Sequence, residues 1–221
     1  RPAEVSAAAG PVPVQLRFAT GLTGEQYVTR QAWREASLPC CPEHPQGGCD
    51  FSRNGTYERV DPPGTKIARS YCPQAHCTFS LLPDHLAARF PGTLEKIEQV
   101  VAEVEQEGNL TAVADRVRRD EDITPTSAIL WTRRRVRLVR ALLAILASVL
   151  PHRLLGCAPT LHAFRIRLAC QQVLVPLREI AHAHLHELPR PLGFHRTPAA
   201  NGDRKTADQH HTGPAPPPHR T

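Results

Sequence analysis

Apolar residues recur at three- and four-residue spacing through the middle of the chain, which is the period of helices with one buried face. Leu94, Ile97, Val101 and Val104 make the first such face, between Pro91-Gly92-Thr93, where Thr93 is a ready N-cap, and Gly108, which stops the helix. Leu110, Val113, Ala114 and Val117 make a second, shorter face capped by Asn109 or Thr111, followed by a break over Arg119 to Asp122. Thr124-Pro125 then pairs an N-cap with a proline at the first helical position, where its missing N–H costs nothing. The third helix carries the seam Val136, Val139, Leu143, Leu146 and Leu150 and ends at Pro151. A further helical region opens at Pro159 and runs to about Glu187, with an interruption expected at Pro176.

Upstream the period changes to two. Val14, Leu16 and Phe18 alternate as a short strand or extended arm would. Thr56 to Val60 and Lys66 to Tyr71 are rich in strand formers and flank Asp61-Pro62-Pro63-Gly64, so they predict a hairpin. From about His195 glycine, proline and histidine predominate, a composition that builds no core. The expected organisation is an N-terminal arm over 1–38, a small β module over 39–91, a helical region over 92–150, C-terminal helices over 151–194 and a disordered tail over 195–221. The fold class is thus a small β unit followed by an all-α region.

The β module has few large apolar side chains, and a unit that small needs a staple. Its cysteines and histidines supply one. Cys41 and Cys72 each begin a Cys-Pro knuckle, and His44, Cys49, His76 and Cys77 complete six candidates for the four tetrahedral positions of a structural Zn2+ site. Spacing leaves the choice between His44 and Cys49, and between His76 and Cys77, open.

Charge is distributed unevenly. Between Thr93 and Asp122 nine acids face four bases, whereas Ile123 to Arg178 holds nine arginines and no acid until Glu179. With a net charge of +6, that asymmetry predicts a polyanionic partner, double-stranded DNA. If the helix opening at Pro125 is the second helix of a helix-turn-helix, Thr126, Ser127 and Leu130 lie near base edges, and Arg133, Arg134, Arg137 and Arg140 follow toward phosphates or guanines. The alternative is a zinc-scaffolded interaction module in which the seam from Val136 to Leu150 is a dimer interface.

The runs Arg53-Asn54-Gly55-Thr56-Tyr57-Glu58-Arg59, Ile67-Ala68-Arg69-Ser70-Tyr71-Cys72 and Cys77-Thr78-Phe79-Ser80-Leu81-Leu82-Pro83 resemble the N-terminal zinc-ribbon region of bacterial insertion-sequence transposase-like proteins. That resemblance, over residues 40 to 140, implies a zinc ribbon preceding a helix-turn-helix, with DNA and a partner transposase or a second copy as partners. Acidic-triad transposases hold two metal ions on carboxylates. After residue 122 the only acids are Glu179, Glu187, Asp203 and Asp208, and no H-E-x-x-H occurs, so no catalytic role is expected. The longest apolar run, Ala141 to Leu150, is too short for a membrane span, and a cytoplasmic, nucleoid-associated location is expected.

Overall fold

The computed structural model describes residues 14–195, so the expected disordered tail falls almost wholly outside the described residues. Four strands form one sheet in the order β1-β4-β3-β2: β1 (Val14–Phe18), β2 (Ser52–Glu58), β3 (Lys66–Cys72) and β4 (Cys77–Pro83). The predicted hairpin is β2–β3, turning on a cis Asp61–Pro62 bond and on Gly64, whose φ of 73° suits glycine. It begins earlier than its strand formers suggest. Val60 lies in the turn rather than the strand, and a bulge between Arg53 and Thr56 is taken up by Gly55. The alternating segment at the N-terminus is an edge strand, parallel to β4 with Leu16 opposite Leu81.

Pleating sends Leu16, Ala68, Ser70, Cys72, Phe79 and Leu81 to one face and Ile67 and Leu82 to the other. The segment between β1 and β2 covers the first face, where Ala36, Ala68 and Leu81 pack together with Leu16 and Leu38 at their margin. This segment includes α1 (Gly24–Thr29), which hydrophobic periodicity does not reveal. It is held by a reciprocal cap between Thr23 and Gln26 and by Tyr27, whose hydroxyl donates to the Lys66 carbonyl.

The second face joins the helices. In α2 (Leu94–Glu107) Thr93 is the N-cap, and Gly108 closes the end at a φ of 66°. Asn109 caps α3 (Leu110–Glu121), which continues through the expected break to a left-handed Asp122. Only Asp122, Ile123 and Thr124 separate it from α4 (Pro125–Val149), capped by Thr124 as its sequence predicts. Val136, Val139, Leu143, Leu146 and Leu150 are all buried inside this one chain, packed with residues of α2 and α3. The apolar surface of the seam is thus covered within the chain. Beyond α5 (Pro151–Leu154), α6 (Leu161–Leu168) ends at a left-handed Ala169, and Pro176 sits in the first turn of α7 (Leu174–Ile180). The interruption thus falls at 169–173, not at the proline, because the first turn of a helix has no i−4 bond for proline to lose.

One apolar core runs from Ile67 through all of these helices to Phe194. Arg178 of α7 is its tie to the sheet. Fully buried, it donates to the carbonyls of Pro83, at the end of β4, and of Asp84 and Leu86 just after it, and to those of Pro191 and Leu192 near the end of the described chain. Burial pulls its pKa down to about 9, still above neutrality. Among the described residues no helix is long and apolar enough to cross a membrane.

Candidate metal centre

Cys41 opens a compact loop in which the His44 N–H donates to the Cys41 carbonyl and the Gly47 N–H to the His44 carbonyl. Gly47 and Gly48, at φ of 84° and 79°, then reverse the chain so that Cys49 returns beside Cys41. The loop rests on the end of the β3–β4 hairpin: Gln74 Nε2 donates to the Gly48 carbonyl at 2.7 Å, and Phe51 meets Phe79 edge to face at 5.9 Å. Cys72, the last residue of β3, points into this contact.

The ligand atoms of Cys41, His44, Cys49 and Cys72 all lie within 4.8 Å of one another. His44 Nδ1 is 3.7 Å from the Cys41 sulfur and 3.4 Å from that of Cys72. A tetrahedral ion with sulfur at about 2.3 Å requires ligand atoms about 3.8 Å apart, so the spacing suits a four-coordinate metal. The three cysteines are buried and His44 half-buried. The expected division of two ligands per knuckle is replaced by three from the 41–49 loop and one from Cys72. At residue 75, where a second ligand of a C-x2-C knuckle would stand, there is alanine, and its N–H donates to the Cys72 sulfur at 3.4 Å.

Desolvation raises the Cys49 thiol to about 11, with the Cys41 side chain adding to it. At Cys72 desolvation also acts upward, but the Ala75 N–H and the side chains of Cys41, Cys49 and His44 outweigh it and lower the thiol to about 7. The Cys72 sulfur thus gains thiolate character while Cys49 resists ionising beside it, the condition that a bound cation relieves. Three buried thiols and a half-buried imidazole nitrogen form a donor set compatible with a structural zinc site. These four residues are positioned to bind a metal ion.

His76 and Cys77 stand outside this group. His76 occupies the left-handed closing position of the β3–β4 turn at a φ of 48°, and its Nδ1 lies 3.5 Å from the Tyr71 hydroxyl. Cys77 is half-buried against the edge of the centre, and burial, with Glu43, Cys72 and Cys41 nearby, pushes its thiol pKa up. Of the two open choices, His44 and Cys49 both join the cluster, and neither His76 nor Cys77 does.

On α4, Thr126, Ser127, Leu130, Arg133, Arg137 and Arg140 are all exposed, Leu130 to 58 %. Ser127 accepts a bond from the Thr124 hydroxyl at 2.8 Å as part of the cap. Arg134 is half-buried at the flank of this stripe, its guanidinium 5.4 Å from the Phe90 ring. Three other arginines of the acid-free stretch are internal or paired. Arg135 is buried over the rings of Trp131 and Phe90, Arg165 pairs with Glu98, and Arg178 holds the sheet. No protein-family model, curated protein or solved structure matches the chain.

Proposed function

We propose that the chain is a non-catalytic, zinc-stabilised protein that binds double-stranded DNA through α4, of the kind that recognises mobile-element DNA alongside a transposase. The observation that carries this reading is the exposed stripe Thr126, Ser127, Leu130, Arg133, Arg137 and Arg140 on a helix that has no carboxylate in its 25 residues. Its polar start and basic continuation suit base edges and then phosphates. The three-residue connection between α3 and α4 supports a helix-turn-helix reading, with α3 as the brace. Zn2+ fits the metal centre best, because three thiolates and one imidazole in a closed tetrahedron match its preference. The test is duplex-DNA affinity as a function of salt for the wild type and an Arg133→Ala/Arg137→Ala variant.

A second reading, a protein-interaction module, draws on a different surface. Leu155, at the end of α5, and Ile166, on α6, are exposed to 74 % and 69 % and line a cleft with Cys157, Ala158 and Ala163. Apolar side chains exposed together to this degree are characteristic of contact sites.

A further inference from the structure

Cys77 is the cysteine of the metal region that is packed against the centre without belonging to it. Its place in the sheet is specific: Cys72 and Cys77 are directly opposed across β3 and β4, as the pair that closes the hairpin. Opposed residues in an antiparallel pair point to the same face, with Cα atoms about 4.5 or 5.5 Å apart. Either spacing lies within the window of roughly 4.4 to 6.8 Å that a disulfide accepts. Cys77 is half-exposed where Cys72 is buried, so the pair joins a donor of the centre to the surface.

We infer that Cys72 and Cys77 form an oxidation site, a dithiol that closes to a disulfide and withdraws Cys72 from the donor set. The inference rests on the metal reading above. With a peroxide as oxidant, one sulfur takes an oxygen atom to become a sulfenic acid and releases one water. The other sulfur displaces that oxygen as a second water, forming the S–S bond, and the two thiol protons leave in the waters. The peroxide is reduced by two electrons, which the two sulfurs supply. Only Cys41, His44 and Cys49 then remain as donors, all on the 41–49 loop, and nothing from the sheet holds that loop to the metal. Oxidation therefore removes the tie through the metal and leaves the loop on the hairpin by its Gln74–Gly48 and Phe51–Phe79 contacts alone.

The experiment uses the full chain loaded with zinc, treated with hydrogen peroxide, with released zinc followed by a chromogenic chelator and disulfides mapped by mass spectrometry. The wild type and a Cys40→Ser control, which removes the exposed thiol next to Cys41, are expected to release zinc together with a Cys72–Cys77 crosslink, the peptide losing two hydrogens. Cys77→Ser should keep its zinc before treatment and release it at least about tenfold more slowly. Equal release rates in wild type and Cys77→Ser, or a crosslink confined to Cys41, Cys49 and Cys72, would overturn the inference. If the untreated chain holds no zinc, the metal reading fails on its own. Crosslink mapping still decides whether Cys72 and Cys77 pair.

Discussion

Glu98 and Glu105 stand two turns apart on α2, and each closes the N-terminus of a different helix. Glu98 accepts the N–H groups of Val173 and Leu174 at the start of α7, and Glu105 those of Leu161 and His162 at the start of α6. Two acids of the acidic stretch are thus caps for helices more than fifty residues away, stabilised by the positive ends of those helices. Glu98 is buried and also pairs with Arg165, whereas Glu105 is half-exposed. Glu98→Ala should destabilise the fold by on the order of 3 kcal/mol, because it leaves two buried N–H groups and an arginine without their acceptor. Glu105→Ala should cost about 1 kcal/mol. Urea unfolding of the two variants checks the order; equal losses would contradict it.

Arg178 gives a second test of the joint between sheet and helices. Arg178→Met keeps much of the side-chain volume but leaves the carbonyls of Pro83, Asp84, Leu86, Pro191 and Leu192 without this donor. A loss of about 3 kcal/mol or more in denaturant unfolding is expected. A variant as stable as wild type would mean that those carbonyls find other donors.

Local signals made much of this fold legible, and distant contacts account for what was not. The caps Thr93, Asn109 and Thr124, the stop at Gly108 and the hairpin turn at Gly64 act over a few residues and could be read directly. Ala169 takes a left-handed conformation with no glycine to announce it, so the break before α7 was not visible. The reach of Glu98 to Val173, and the removal of Arg135, Arg165 and Arg178 from the basic surface, depend on packing between segments far apart in sequence. The four clustered Cys and His residues lie within the six candidates that the spacing offered. Selecting four of them required the loop path through Gly47 and Gly48, which no spacing rule supplies.

His85 predicts an acid-sensitive stability. It is buried against Tyr27, neither ring nitrogen has a hydrogen-bond partner among the described residues, and burial, reinforced by Arg178, lowers its pKa to about 4. With the folded pKa below the unfolded value of about 6.5, the unfolded chain binds the proton first. The stability from this group is complete above about pH 6.5 and falls by up to about 3 kcal/mol as the pH drops toward 4. His85→Phe should flatten the profile between pH 4 and 6.5. Identical slopes for variant and wild type would assign the acid sensitivity elsewhere.

For the metal centre, purified chain should carry about one zinc per molecule, and binding should contribute on the order of 10 kcal/mol to folding of the 41–83 region. Chelation or Cys72→Ser should expose that region to protease, while Cys157→Ser, far from the centre, should not. A protease-resistant, metal-free 41–83 region would exclude a structural metal.

DNA binding by α4 is tested most directly by the salt dependence of affinity for duplex DNA. If Arg133, Arg137 and Arg140 each contact one phosphate, they contribute about −2.7 to the slope of log K against log salt concentration, at about −0.9 per contact. Arg133→Ala/Arg137→Ala should weaken binding and flatten the slope by about 1.8, with folding unchanged because both side chains are exposed. A slope that the double substitution leaves unaltered, or affinity independent of salt, would contradict the account.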